Sequence, residues 1–142
     1  LLEVALRQQP CAGMKIGALA ARSGVPVKTL RYYEELGLLP AIGRSEGGYR
    51  LFEEDSIPRL EFIRRLKALG LSLEEIQSCL AVHDAGELPC HEIQVMLHNQ
   101  IERIDARMKE LRQLRGELQG LLADWQNDPT KQGGVICPNL KV

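Results

Sequence analysis

Between Cys90 and Trp125 the apolar residues Leu97, Ile101, Ile104, Met108, Leu111, Leu118, Leu122 and Trp125 recur at alternating spacings of four and three, with Arg115 the one polar break between Leu111 and Leu118. That spacing lays a single apolar stripe along a helix and is the pattern of a coiled coil. At 1.5 Å per residue such a helix extends about 50 Å, too far to bury its stripe against a small module. The stripe must either fold back on this chain or pack on a second copy. No second long helix is available within the 142 residues to receive it, so a homodimer is expected.

Composition points the same way. Apolar residues make up 44% of the chain but aromatics only 4%, so aliphatic helix packing must supply most of the core and a mainly α fold follows. The length allows one ordinary domain, or a small domain with a long appendage. No apolar run approaches the roughly 20 residues of a membrane span, and Leu1 to Gly13 lacks the basic start and apolar centre of a signal peptide; a cytoplasmic protein is expected. Residues 1–13 read as an N-terminal extension outside the fold. With no phosphate-binding glycine loop, no Ser/His/Asp ordering and no paired carboxylates facing a predicted cleft, an enzyme is not expected.

Upstream of the stripe, Ile16, Leu19 and Ala20 recur at helical spacing up to Ser23-Gly24, and Pro26 precedes a second run through Leu30, Tyr33 and Leu36-Gly37. Two short helices joined by a glycine turn make a helix-turn-helix. Ser45 to Phe52 changes character: two glycines are followed by alternating β-prone side chains, a small hairpin or wing. Pro58 sits near the start of a helix carrying Leu60, Ile63, Leu66 and Leu69 and ending at Gly70. Ser72-Leu73-Glu74-Glu75 is a capping box opening the next helix. Asp84 to Pro89 breaks that helix before the long one begins at Cys90. The organisation is thus a module over 14–83, a dimerisation helix over 90–125 and a tail over 126–142.

Charge divides along the same line. Met14 to Gly70 carries ten Lys/Arg against seven Asp/Glu, and Leu71 to Val142 carries seven against eleven, an electrostatic footprint confined to the first module. Lys28, Thr29 and Arg31 fall in the early turns of the second helix, the part that a helix-turn-helix directs at the major groove. Arg44 and Arg50 bracket the two-glycine turn, with Tyr49 beside them, an arrangement hard to explain as packing. Tyr32 reads equally as core or contact. A coiled-coil adaptor whose module binds protein is the rival from another class, and steep salt dependence of duplex binding would separate the two.

In Arg31-Tyr32-Tyr33-Glu34, Gly37-Leu38, Arg44 to Arg50 and Leu69 to Ile76, in that order and spacing, the chain resembles the mercury-resistance-regulator (MerR) family of bacterial activators from Met14 to about Leu122. The resemblance implies a winged helix-turn-helix, a linking helix pair, a long antiparallel dimerisation coiled-coil helix and a short C-terminal effector loop over 126–142. It also implies that Arg31 and Tyr33 contact DNA and that Arg44, Tyr49 and Arg50 meet flanking phosphates. Double-stranded promoter DNA and RNA polymerase are the implied partners, with activation by bending and untwisting the DNA. Plain repression would suit the same residues.

Four cysteines, Cys11, Cys79, Cys90 and Cys137, lack the short paired spacing of a zinc ribbon, and in a reducing compartment they would not form structural disulfides. Cys79, on an apolar stretch, reads as a small buried hydrophobe. Cys90 follows Pro89 at a helix start, where free amides favour thiolate. Cys137 lies in Gly134-Val135-Ile136-Cys137-Pro138, similar to the second loop cysteine of the family's metal sensors, and by resemblance Cys90 reaches the partner's loop. Cysteine at position 90 resembles the zinc, cadmium, lead and mercury responders, so a divalent thiophilic metal ion held by Cys90 and Cys137 is expected. The pattern departs where a first loop cysteine is usual: this chain has Asp124, Trp125 and Gln126. His91, His98 or Asp124 could complete a site. A metal-free redox or electrophile sensor on the same scaffold remains the alternative.

Overall fold

A computed structural model describes residues 13–140. Its elements are β1 (Met14–Lys15), α1 (Ile16–Ser23), α2 (Val27–Glu35), β2 (Gly43–Arg44), β3 (Arg50–Phe52), α3 (Ser56–Ala68), α4 (Leu73–Asp84) and α5 (Cys90–Ala123). The turn between α1 and α2 depends on Gly24, which adopts φ 73 and turns its amide back to the Ala20 carbonyl at 3.0 Å. Glycine reaches that left-handed conformation without a Cβ penalty. Pro26 then supplies the carbonyl that receives the Leu30 amide, opening α2.

The capping box forms as its sequence predicts. Glu75 donates its amide to Ser72 Oγ at 3.2 Å and the Glu75 carboxylate accepts from the Ser72 amide at 3.2 Å. A serine cap of this kind stabilises a helix by about 1 kcal/mol.

The wing is wider than the expected hairpin. β2 and β3 pair antiparallel, Arg44 opposite Arg50, but β3 also pairs with β1, Met14 opposite Phe52, giving the order β1-β3-β2. A strand of two residues is too short to display alternation, so the sequence pattern did not reveal β1. Nor is Gly13 a bystander: a Cβ there would lie 2.7 Å from Leu51 Cβ, so glycine lets the chain approach β3. Residues 1–12 and 141–142, Cys11 among them, lie outside the described residues.

Leu19, Leu30, Tyr33, Leu38, Leu39, Phe52, Leu60, Ile63, Ile76 and Cys79 form one core drawn from α1 to α4 and the sheet, with Ile93 and Met96 of α5 packed against it. The chain divides into two compact units between Met96 and Leu97. Along α5, 34 residues long, no residue is buried. Ile104 is 49% exposed, Leu111 47% and Leu118 53%. Leu114, also exposed, follows Leu111 by three, so the apolar face continues past Arg115 on its other flank. α5 stops at Ala123, two residues short of the expected end at Trp125. No helix among the described residues is long and apolar enough to cross a membrane.

Candidate nucleic-acid interface and thiol site

The helical period sorts the second helix into two faces. Leu30 and Tyr33, three apart, point inward, Tyr33 only 6% exposed, and Lys67 Nζ stands 6.0 Å from its ring centroid. Lys28 and Arg31 are exposed, Thr29 is half-buried, and Tyr32 is 50% exposed. The Tyr33 ring belongs to the core, and the outward aromatic of α2 is Tyr32. Lys28, Arg31 and Arg44 have no ion-pair partner among the described residues, leaving their charge uncommitted.

The wing is held by its own chemistry. Ser45 donates its amide to the Tyr49 carbonyl at 2.7 Å, and Gly48 returns its amide to the Ser45 carbonyl at 2.9 Å. Arg50 forms an ion pair with Glu34 of α2, whose side chain is largely buried, which ties the wing to that helix. Arg50 is thus half committed to structure, unlike Arg44. Lys15 of β1 sits 4.5 Å from the centroid of the exposed Tyr49 ring and adds a cation to the wing. The sequence reading missed Lys15, since only strand pairing brings it there.

Arg59 of α3 was likewise unmarked by any sequence signal. Nearly buried, it donates from Nε to the Leu38 carbonyl at 2.5 Å and from both terminal nitrogens to Asp84 at 2.6 and 3.0 Å. The turn after α2 is thereby connected to the end of α4. Hydrogen bonding from Arg59 holds the Asp84 carboxyl below its ordinary range.

The three described thiols differ sharply. Cys79 is fully buried, its Sγ 3.5 Å from Met96 Sδ. Burial, then the charges of Glu92 and Glu75, pushes its thiol up in pKa, away from thiolate reactivity. Cys90 is the exposed first residue of α5, and Cys137 is half-buried in the loop that follows α5. That loop returns to the helix end, where Asn139 pairs with Gln126. His91, His98 and Asp124 are exposed. Among the described residues no three His, Cys, Asp or Glu side chains converge within one protomer. Two free thiols outside the core are nonetheless a donor set of the soft kind that thiophilic ions take.

A helix-turn-helix with a wing, continued by linking helices into a long exposed helix, defines a DNA-binding regulator rather than an enzyme. The chain belongs to the MerR family: residues 14–82 match the MerR HTH family regulatory protein description and residues 57–121 match "MerR, DNA binding". It is 38% identical over 127 residues to the mercuric resistance operon regulatory protein of Bacillus cereus, covering 89% of this chain and 94% of that one. Among solved structures it is similar to the transcription regulator PbrR691 of Ralstonia metallidurans CH34 in complex with lead(II), with TM-score 0.72 and 39% identity over 82% of this chain and 91% of that one. It is also similar to MerR of Bacillus megaterium MB1 in complex with mercury(II), with TM-score 0.60 and 32% identity over 89% and 94% of the two chains. These relatives are regulatory proteins by name, and the two solved structures hold lead(II) and mercury(II) respectively.

Proposed function

We propose that this chain acts as a homodimer on a two-fold-related promoter site and activates transcription by RNA polymerase in response to a divalent thiophilic metal ion. The observation that carries the reading is the disposition of its thiols. Cys79 is sealed in the core, whereas Cys90 stands exposed at the head of α5 and Cys137 is held by a loop anchored beside the end of the same helix. Paired antiparallel along their apolar stripes, two α5 helices bring the head of each beside the end of the other, so Cys90 meets Cys137 of the partner subunit.

Lys28, Thr29, Arg31 and Tyr32 of α2 enter the major groove, and Lys15, Arg44 and Tyr49 of the wing take flanking phosphates, with Arg50 positioned by Glu34. A bound ion supplies a link between subunits. Because its ligands come from different chains, it favours one angle between the two DNA-binding modules, the differential interaction that any switch requires. Distortion of the promoter follows from that change of angle. Mercury, satisfied by two thiolates, is the favoured signal. Zinc, cadmium and lead bind more weakly, with His91, His98 or Asp124 filling the remaining positions.

Cys90→Ser and Cys137→Ser are expected to abolish metal-dependent transcription in vitro while sparing DNA binding, and Cys79→Ser to do neither. A metal response that survives in the Cys90→Ser, Cys137→Ser double variant would overturn the assignment. Activation by an oxidant without metal would move the same thiols to the redox reading.

A further inference from the structure

We propose that Asn139 is the positioning residue of the thiol loop, closing it before any ion arrives and setting Cys137 in place; the inference rests on the reading of Cys137 given above. Asn139 Nδ2 donates to the Gln126 carbonyl at 2.9 Å, and the Gln126 amide donates to Asn139 Oδ1 at 2.9 Å. One carboxamide thus satisfies both backbone groups of one residue, as a neighbouring strand would. Gln126 lies just past Ala123, the last residue of α5, so the contact fastens the far end of the loop to the helix end.

Cys137 stands two residues before the clamp. Its carbonyl accepts the Leu140 amide at 3.1 Å, a turn that straddles Asn139. Pro138, with its φ fixed by its ring, removes freedom from the link between thiol and clamp. The cysteine backbone is therefore constrained on its C-terminal side, by the turn to Leu140 and by the clamp at Asn139. Inside the loop, by contrast, Ile136 is fully exposed. Closing a loop of this length carries an entropic cost. With the clamp in place that cost belongs to folding; without it, the loop must be ordered when the ion binds, and affinity falls. Asparagine suits the task because aspartate lacks the donor and alanine lacks both groups.

The test uses the full-length dimer with thiols reduced, titrated with cadmium(II) and followed by thiolate-to-metal charge-transfer absorbance, alongside amide exchange of residues 126–139 in the metal-free protein. Asn139→Ala should weaken cadmium binding about 10- to 100-fold, the usual range for a residue that orients a ligand, and should speed exchange in the loop. Asn139→Asp, which keeps the acceptor and loses the donor, should fall between. Thermal midpoint and metal-free DNA affinity should not move, since a merely structural defect would shift them. Wild-type cadmium affinity or unchanged loop exchange in Asn139→Ala would overturn the proposal. Cys137→Ser separates the two levels: if it loses cadmium and Asn139→Ala does not, the clamp is wrong and the thiol reading stands. If Cys137→Ser binds cadmium normally, both fall.

Discussion

The unit ending at Met96 and the unit beginning at Leu97 handle apolar side chains in opposite ways. The first encloses Leu19, Leu30, Phe52, Leu60, Ile63 and Ile76 almost completely within a single protomer. The second carries Ile101, Ile104, Met108, Leu111, Leu114 and Leu118 on an exposed face. Both are rich in aliphatic residues, so hydrophobicity does not distinguish them. What differs is geometry. Short helices turned back on one another by Gly24 and Gly70 can surround a core, whereas the stripe of the 34-residue helix meets no second long helix among the described residues. One unit encloses its apolar side chains, and the other leaves them exposed.

That contrast can be broken by substitutions on each side. Ile104→Glu with Leu111→Glu places charge in the proposed seam and should dissociate the dimer, at a cost of about 3–5 kcal/mol for each uncompensated charge. Sedimentation should then report monomer or unfolded chain. Phe52→Ala should cost a comparable about 3–5 kcal/mol, but with the dimer still formed by the molecules that remain folded. Seam variants that sediment as the wild-type dimer would mean that the stripe is not the dimer contact.

Within the DNA-binding unit the same inside-outside logic operates at single residues. Arg31→Ala should weaken operator binding by about 1–3 kcal/mol, with thermal stability unchanged. Tyr33→Phe, whose ring is buried, should leave affinity for DNA near wild type. Equal affinity for the Arg31 variant and the wild type would remove α2 from the interface; a large loss for Tyr33→Phe would return that tyrosine to it.

The smallest expected effect lies at the Arg59–Asp84 ion pair. Asp84 has a depressed pKa in the folded chain, so its contribution is fully present above the unfolded value near 3.8, declines as pH falls below that, and is gone once pH passes beneath the folded pKa. Asp84 is half exposed, which limits the contribution to no more than about 1 kcal/mol. Asp84→Asn should therefore lower stability slightly at neutral pH and flatten the acid limb of a stability-versus-pH curve. An unchanged acid limb would show the pair to be inert.

Features set by local periodicity and local chemistry were legible in the amino-acid order alone: the heptad stripe of α5, the capping box at Ser72, the glycine stop at Gly24, the break before Cys90 and the burial of Cys79. Each depends on residues within a turn or two of one another, where spacing determines the face. Tyr33 is instructive because its spacing from Leu30 already placed it on the apolar face, and its ring is buried there. The remaining features join residues far apart in the chain: β1 against β3, Glu34 with Arg50, Lys15 over Tyr49, Arg59 between Leu38 and Asp84, and Asn139 on Gln126. No spacing encodes these contacts, because which polar groups meet depends on how the helices dock and where the loop returns. Only packing in three dimensions decides that, once the backbone groups and charges left over by local structure must each find water or a partner.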